Sequence, residues 1–449
     1  MADLFRFWFG WVTPVGRRRY FLHGAGLMVF KYFVDAGVIW LATGVVWTPL
    51  DYFDPVWSLR AAALGQGHEL LAFLLAIWTL PFLWVGVSLS MRRSLDAGRS
   101  AWGVIVFFIP GFNYLLMLVL SVLPSRPARL DAPPRTVDPR LRSALYAVAA
   151  GLAITIPTVL LALYERRFYS LGLFLGTPFT LGAICANVYN RRNPGPFRKT
   201  VPVVLLTVML LGLVLVLFAL EGVVCIAMAF PIAAMAALAG AILGRAVAMK
   251  SSEMGASTGM AALVLPLVVL VEPNRAPAPL REVVTTVEIA APADKVWRTV
   301  VAFPELPPPT ELIFRAGVAA PIRAHIDGTG VGAIRYCEFT TGAFVEPITT
   351  WDEPRVLAFD VTRNPPPMNE MSPYRRVNAP HLDGYFQATK GEFELVPLPG
   401  GRTRLVGHTW YRMAMYPQIY WDGMTDRIVE AIHRRVLDHV KRVVERNSP

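Results

Sequence analysis

Apolar runs long enough to cross a bilayer recur along the first three-fifths of this chain, and no other feature limits its fold as strongly. A helix needs about 20 predominantly apolar residues to span roughly 30 Å of hydrocarbon. Segments 22–48, 68–90, 101–123, 143–164, 169–189, 201–220, 222–244 and 257–272 meet or approach that length. The run from Val201 to Gly244 is too long for one span, and Glu221-Gly222 divides it. A lone carboxylate at mid-membrane would cost roughly 3 kcal/mol, which places Glu221 in a tight turn between two helices. After Val271-Glu272-Pro273-Asn274-Arg275-Ala276-Pro277-Ala278-Pro279-Leu280-Arg281 the pattern changes to strands, turns and one long amphipathic helix. Three prolines and two arginines in those eleven residues make a stiff, solvated hinge. A multi-span α-helical membrane region is thus expected to carry a water-soluble half.

Charge separates the two halves. Charged residues are 17% of the chain, against about 25% in ordinary globular proteins. The first 273 residues hold 22 Lys+Arg and 12 Asp+Glu, a net +10, and the remainder 21 and 20, a net +1. The basic excess therefore sits in short loops between apolar runs, as in cytoplasmic loops of membrane proteins. No basic stripe interleaved with aromatics lies on a folded face, so nucleic acid is not an expected partner. Cys185, Cys225 and Cys337 have neither disulfide nor metal spacing, and no cofactor is expected. Arg17-Arg18-Arg19 precede a first apolar run without a cleavage site, which argues against a signal peptide.

Lys31 and Asp35 lie four residues apart in the first span, on one helix face. An intramembrane ionisable pair is a functional candidate, set against mutual neutralisation or snorkelling of the lysine. The most specific membrane-half signal is Met91-Arg92-Arg93-Ser94-Leu95-Asp96-Ala97-Gly98-Arg99-Ser100-Ala101-Trp102, followed by an apolar run broken at Ile109-Pro110-Gly111. Arg92, Arg93, Asp96 and Arg99 make a charged elbow, and Trp102 an interfacial anchor. With Gly16-Arg17-Arg18-Arg19-Tyr20, this pattern resembles the YhaH-type family of small bacterial inner-membrane proteins, a domain of unknown function. Ser94-Leu95-Asp96 stands where that family has Leu-His-Asp, so no role of the histidine carries over. The resemblance covers about the first 125 residues and implies a membrane location, not a chemistry; the expected setting is the bacterial inner membrane with the N-terminus cytoplasmic.

Loop charges discriminate between two topologies. If all eight segments cross from an inside N-terminus, 9 Lys/Arg fall inside and 12 outside. If 101–123 is a re-entrant hairpin broken at Pro110-Gly111, the split becomes 18 inside and 3 outside, which obeys the bias. The second arrangement puts the soluble half outside unless 257–272 also fails to cross. The side stays open. The expected organisation is a membrane domain over 1–125, further transmembrane helices over 140–272, a linker over 273–281 and a ligand-binding domain over 282–449.

In the soluble half, Glu282–Ile289 alternates as a half-buried strand and 290–297 opens a short helix. Strand-like runs follow at 318–326, 332–340, 343–351 and 355–362, then an irregular segment over 363–382, then strands near 385–396 and 402–413. A helix from about Pro417 to Arg446 is striped by Met424, Ile428, Ile432, Val436, Val440, Val443 and Val444. Strand, short helices, six-strand meander and long terminal helix make an α+β helix-grip fold, a curved antiparallel sheet around a C-terminal helix. Three runs carry a family likeness: Val287-x-Ile289-x-Ala291-Pro292-x5-Trp297, Gly328-x-Gly330-x-Gly332-x-x-Arg335, and Glu346-x-Ile348-x-x-Trp351-Asp352-x-Pro354-x-x-Leu357-x-Phe359-x-Val361. About 165 residues resemble the START/polyketide-cyclase (SRPBCC) superfamily. The resemblance implies an apolar cavity under the last helix that binds a lipid, polyketide or other hydrophobic molecule, and in a minority of members catalyses a reaction.

The superfamily shares a cavity rather than one catalytic set, so candidates come from the residues. Strand alternation puts Glu346 on the face of Ile348, and Tyr336 with Glu338 on one face of the preceding strand. A carboxylate in an apolar cavity has a raised pKa and serves as acid or base; the competing role for Glu346 is a structural bridge to Arg335. His381, Asp383 and Tyr385 lie where the irregular segment enters a strand, a position suited to a lid. Tyr411, Tyr416, Tyr420 and Trp421 gather ahead of the last helix, as mouth or as core. Gly328-x-Gly330-x-Gly332 lies between strands and is no dinucleotide site, and His433 and His439 fall on different helix faces, so no zinc pair forms. Three readings follow: a membrane-anchored module for a hydrophobic or lipid-like molecule, a cyclase/dehydratase-like enzyme using Glu346 or Glu338, and a sensor or assembly protein without a small ligand.

Overall fold

The computed structural model describes residues 2–11, 13–53, 69–109, 111–126, 138–160, 162, 169–250, 278–373 and 379–446. They form two compact units, one of N-terminal helices and one around a C-terminal sheet. The candidate span 257–272 and most of the hinge fall outside the described residues.

In the first unit a short amphipathic helix α1 (Ala2–Phe9) precedes α2 (Arg17–Thr43) and α3 (Glu69–Asp96). Then come a 3-10 helix (Ala101–Phe108) and α4 (Phe112–Val122). Next are α5 (Pro139–Leu160), a π turn (Gly172–Gly176) running into α6 (Thr177–Arg192), α7 (Val201–Leu217) and α8 (Val223–Lys250). Five described helices, 17–43, 139–160, 172–192, 197–217 and 223–249, are long and apolar enough to cross a membrane. The expected division at Glu221-Gly222 is present, since α7 stops at Leu217 and α8 starts at Val223, with Glu221 buried in the turn.

The segment 101–123 does not run straight. It is an eight-residue and an eleven-residue helix separated by Gly111, whose φ of +84° is left-handed backbone. Neither piece reaches the length of a span. The elbow closes the hairpin: Arg93 Nε donates to the Leu120 carbonyl at 2.9 Å, its Nη2 to the Leu123 carbonyl, and its Nη1 to Asp96. Arg126 N–H donates to the Asp96 carbonyl at 2.9 Å. Arg93 thereby satisfies carbonyls that the C-terminus of α4 leaves unpaired. Both ends of the hairpin lie at one end of the bundle, as the re-entrant alternative requires. Within the charged elbow Arg92 and Arg93 are fully buried, Asp96 is half-buried and Arg99 is exposed.

Other helix ends meet in the same way. Asn193 Nδ2 donates to Ser143 Oγ at 2.6 Å, Asn190 Nδ2 to Thr200 Oγ1 at 3.0 Å, and Arg245 Nη2 to the Gly195 carbonyl at 2.8 Å. Among the described residues the turns at the other end, 44–53 and 218–222, carry no Lys or Arg. Helices α6 and α8 touch backbone to backbone. A Cβ on Gly182 would lie 1.8 Å from the Ala237 carbonyl oxygen, one on Gly240 1.9 Å from that of Phe179, and one on Gly244 2.0 Å from that of Ala183. Such small-residue contacts let helices associate where no hydrophobic driving force separates helix from lipid.

The second unit is a seven-stranded antiparallel sheet in the order β1-β7-β6-β5-β4-β3-β2. Its strands are β1 (Arg281–Ile289), β2 (Pro321–Asp327), β3 (Ile334–Phe339), β4 (Gly342–Asp352), β5 (Val356–Asp360), β6 (Phe386–Leu398) and β7 (Arg402–Met413). Register shifts at 321/323, 348/350 and 388/390 curl it. Asn364 pins the last of these, taking the Ala388 N–H at 2.8 Å and giving an N–H to its carbonyl at 3.0 Å. Helix α9 (Ala293–Val301) follows β1, and α10 (Gln418–Arg446) closes the concave face. This is the helix-grip architecture, with an interior of Ile289, Trp297, Ile348, Leu357, Phe359, Leu405 and Leu437. The first half of α10 is turned from the expected stripe: it buries Trp421, Asp422, Thr425 and Val429, while Met424 and Ile428 are half-buried. Polar partners on β1 and β7 fix that rotation.

Candidate functional site

Arg335 on β3 and Glu346 on β4 are direct cross-strand partners, and both are buried. Arg335 Nη1 donates to Glu346 Oε2, and its Nε donates to the Val301 carbonyl at 3.1 Å, at the end of α9. Three rings surround the guanidinium, with Cζ 5.5 Å from the Phe303 centroid, 5.2 Å from Phe359 and 5.6 Å from Phe393. Gly391 makes room for one of them, since a Cβ there would meet the Phe359 ring at 2.4 Å. Arg335 Nη2 is buried with no nitrogen or oxygen partner among the described residues, and beside the guanidinium lies only the Cys337 thiol, a weak acceptor. Burial pushes the Glu346 carboxyl up, against the pull of Arg335. Burial also pushes the thiol of Cys337, two residues along the same face, up to about 12. The pair is an ion pair in an aromatic interior with one donor left over.

Tyr336 and Glu338 do not share this interior. The alternation that turns Arg335 and Cys337 inward turns them to the outer face of β3. There Glu338 accepts from Arg323 Nε at 2.8 Å, which holds its carboxyl below the usual range, and Tyr336 stacks on His325 at 5.1 Å. The expectation that both line a cavity, and that Glu338 is an interior acid or base, is corrected by this placement.

Tyr411 is fully buried, and its hydroxyl donates to Asp426 Oδ1 at 2.6 Å and to the Asp422 carbonyl at 3.3 Å. Arg281 Nη2 donates to the other Asp426 oxygen at 2.7 Å. This network binds the start of β1 to the first turns of α10. Burial raises the Asp422 carboxyl, opposed by Arg281. Further along α10, His433 bridges both strands, Nε2 to Thr409 Oγ1 at 2.7 Å and Nδ1 to Thr285 Oγ1 at 3.0 Å.

His381 is buried, with Nε2 at 3.1 Å from Glu370 Oε1. Glu370, in the same irregular segment, was not singled out from the sequence, because no periodicity links residues eleven apart in a loop. Tyr385 precedes β6, where its carbonyl accepts from Ala414 N–H at 2.8 Å, and Asp383 is exposed. In the first unit, Lys31 and Asp35 bond each other inside α2, with Lys31 Nζ 5.8 Å from the Phe82 ring centroid. Tyr336, Glu338, Glu346, His381, Tyr385 and Tyr411 therefore form no single constellation; Glu346 alone among them faces Arg335.

Residues 9–131 match a family described as a protein of unknown function, DUF805. Residues 281–445 match a family described as polyketide cyclase / dehydrase and lipid transport. No curated protein matches the chain. Similar solved structures include truncated norcoclaurine synthase from Thalictrum flavum, 16% identical over 39% of this chain and 100% of that one, TM-score 0.26. Another is the ZhuI aromatase/cyclase from Streptomyces sp. R1128, 19% identical over 37% of this chain and 95% of that one, TM-score 0.26. Likeness at that level says nothing of this chain's own ligand or reaction.

Proposed function

Because the chain joins a DUF805 region to a polyketide cyclase-type helix-grip domain, we propose that it is a membrane-anchored binding module for a hydrophobic molecule bearing an acceptor oxygen. The observation that carries this reading is the buried Nη2 of Arg335 among Phe303, Phe359 and Phe393, with no oxygen to donate to and only the weakly accepting Cys337 thiol beside the guanidinium. A buried ion pair is often no more stabilising than apolar residues of the same volume, so fold stability alone gives little reason for it. An unpaired buried donor adds a cost that a ligand oxygen removes. The rings supply apolar contact, and a carboxylate or carbonyl on Nη2 fixes orientation. The partners are thus a lipid bilayer and a hydrophobic small molecule. The anchor lies in the bacterial inner membrane, its N-terminus on the cytoplasmic side, because basic residues gather at the bundle end that carries Arg17, Arg93 and Arg245. The hinge over 273–281 joins the two halves.

The test is native mass spectrometry of the full chain in mild detergent after exposure to a lipid extract. The expected result is an adduct that Arg335→Met loses and Arg323→Met, on the outer face, keeps. Equal adducts in both variants, or none in wild type, would sink the reading and leave a sensor or assembly role. A second reading, a cyclase/dehydratase-like enzyme, is favoured by the burial-raised Glu346 carboxyl. It requires that wild type return the bound molecule dehydrated or isomerised, read by mass and chromatographic retention together, while Glu346→Gln binds it and returns it unchanged.

A further inference from the structure

Arg92 and Arg93 are adjacent near the end of α3 and fully buried, yet they are used in opposite ways. Arg93 engages all three side-chain nitrogens, on Leu120, Leu123 and Asp96. Arg92 Nε and Nη2 are buried with no hydrogen-bond partner, and no carboxylate pairs with Arg92, among the described residues. Those two nitrogens are the side-on edge of the guanidinium, the edge that grips two oxygens of a carboxylate or phosphate at once. An arginine does not shed its proton, and a buried charge without a counter-charge is costly.

Helix α1 and the residues after it pack against this guanidinium. Arg92 Cζ lies 5.0 Å from the Phe7 ring centroid of α1, and a Cβ on Gly10 would come within 3.0 Å of Nη1. Val15 N–H donates to the Arg92 carbonyl at 3.4 Å, and Ser88 Oγ donates to the Gly10 carbonyl at 2.6 Å, which holds Gly10 and Val15 against α3. Leu4 and Phe5 of α1 are 42% and 62% exposed, as on a helix that lies in a membrane interface. Arg17, Arg18 and Arg19 open α2 just beyond.

We propose that the free edge of Arg92 is an oxyanion site that takes a phosphate group at headgroup depth, with α1 as its cover. The inference is independent of what the sheet domain binds. The phosphate belongs to an anionic lipid headgroup or to free phosphate, and the two are told apart by titration. The full chain in detergent is titrated with phosphatidylglycerol, followed by native mass spectrometry, and separately with inorganic phosphate. Arg92→Gln is expected to weaken retention by about tenfold or more, and Arg92→Lys, which keeps the charge without the fork, by less. Arg99→Gln, exposed on the same elbow, leaves it unchanged. Phosphate binding without lipid binding, with the same dependence on Arg92, upholds the site and assigns the free ion. Wild-type retention in Arg92→Gln, or no binding of either probe by wild type, overturns it. Should Arg92→Gln fail to fold, Arg92→Lys decides: retention equal to wild type is the refuting result.

Discussion

Acid should loosen the grip of α10 on the sheet through one histidine. His433 sits mid-helix with both ring nitrogens engaged, on Thr409 and on Thr285, so a neutral ring suits both bonds. Burial, helped by nearby His408, pushes its pKa from 6.5 down to about 4. The unfolded chain binds this proton near pH 6.5 while the folded domain refuses it until near 4. Stability from His433 is therefore fully present above pH 6.5 and is lost as pH falls toward 4. At about 1.4 kcal/mol per pKa unit the loss is about 3 kcal/mol. Cys337 is buried in the same domain and reports its opening. In a Cys185→Ser, Cys225→Ser background, denaturant midpoints followed by dithiodipyridine labelling of Cys337 at pH 7, 5.5 and 4.5 should fall steeply. In His433→Gln, stability at neutral pH should be lower, because the threonines lose a matched partner, and the acid slope flatter. Identical acid slopes in the two proteins would refute the reasoning.

Gly240→Leu should separate α6 from α8, because a Cβ 1.9 Å from a backbone oxygen forces the helices apart; detergent melting should fall by several degrees, while Gly26→Ala, with nothing within 4 Å, should change it little. Arg93→Met strands the Leu120 and Leu123 carbonyls and Asp96, at a cost of about 3–5 kcal/mol, and should expose the 124–126 peptide to protease in inside-out vesicles. Single cysteines at Asn193 and Thr48 should label from opposite faces, Asn193 from the cytoplasm; labelling of both from one face would contradict the arrangement. Asn364→Ala removes two hydrogen bonds at the bulge and should speed amide exchange at Ala388, with a stability loss of about 1–3 kcal/mol.

Periodicity made most of the fold legible. Every strand from β1 to β7 overlaps a strand-like run, the alternation being clear in β1 and lost in β5, where Leu357, Ala358 and Phe359 are all buried. The break in 101–123 was legible at its glycine, while the choice between a span and a re-entrant hairpin stayed open in the sequence, and the arginine that ties its two ends together was not visible there. The site was less legible. Alternation correctly kept Glu346 with Ile348, but nothing in one strand says which face is concave, and Tyr336 with Glu338 fell outside. The rotation of α10 was missed because its first half is held by Asp422, Asp426 and His433, which a hydrophobic stripe does not register. The Gly240-x-x-x-Gly244 contact was visible as spacing, yet only backbone distances tell a packed pair from a chance one. Arg92 and Arg93 are chemically identical in sequence; their partners come from residues about 30 and 80 positions away.

The central claim is that the aromatic interior around Arg335 receives an oxygen-bearing hydrophobic molecule. A long-chain carboxylic acid with a photoreactive group on its tail, crosslinked to the full chain and mapped by peptide mass, tests it most directly. The predicted crosslinks fall on inward residues such as Phe344, Ile348, Phe359 and Phe393, and disappear in Arg335→Met but not in Arg323→Met. Crosslinks confined to the N-terminal helices or to the outer face of β3, or unchanged by Arg335→Met, would contradict it.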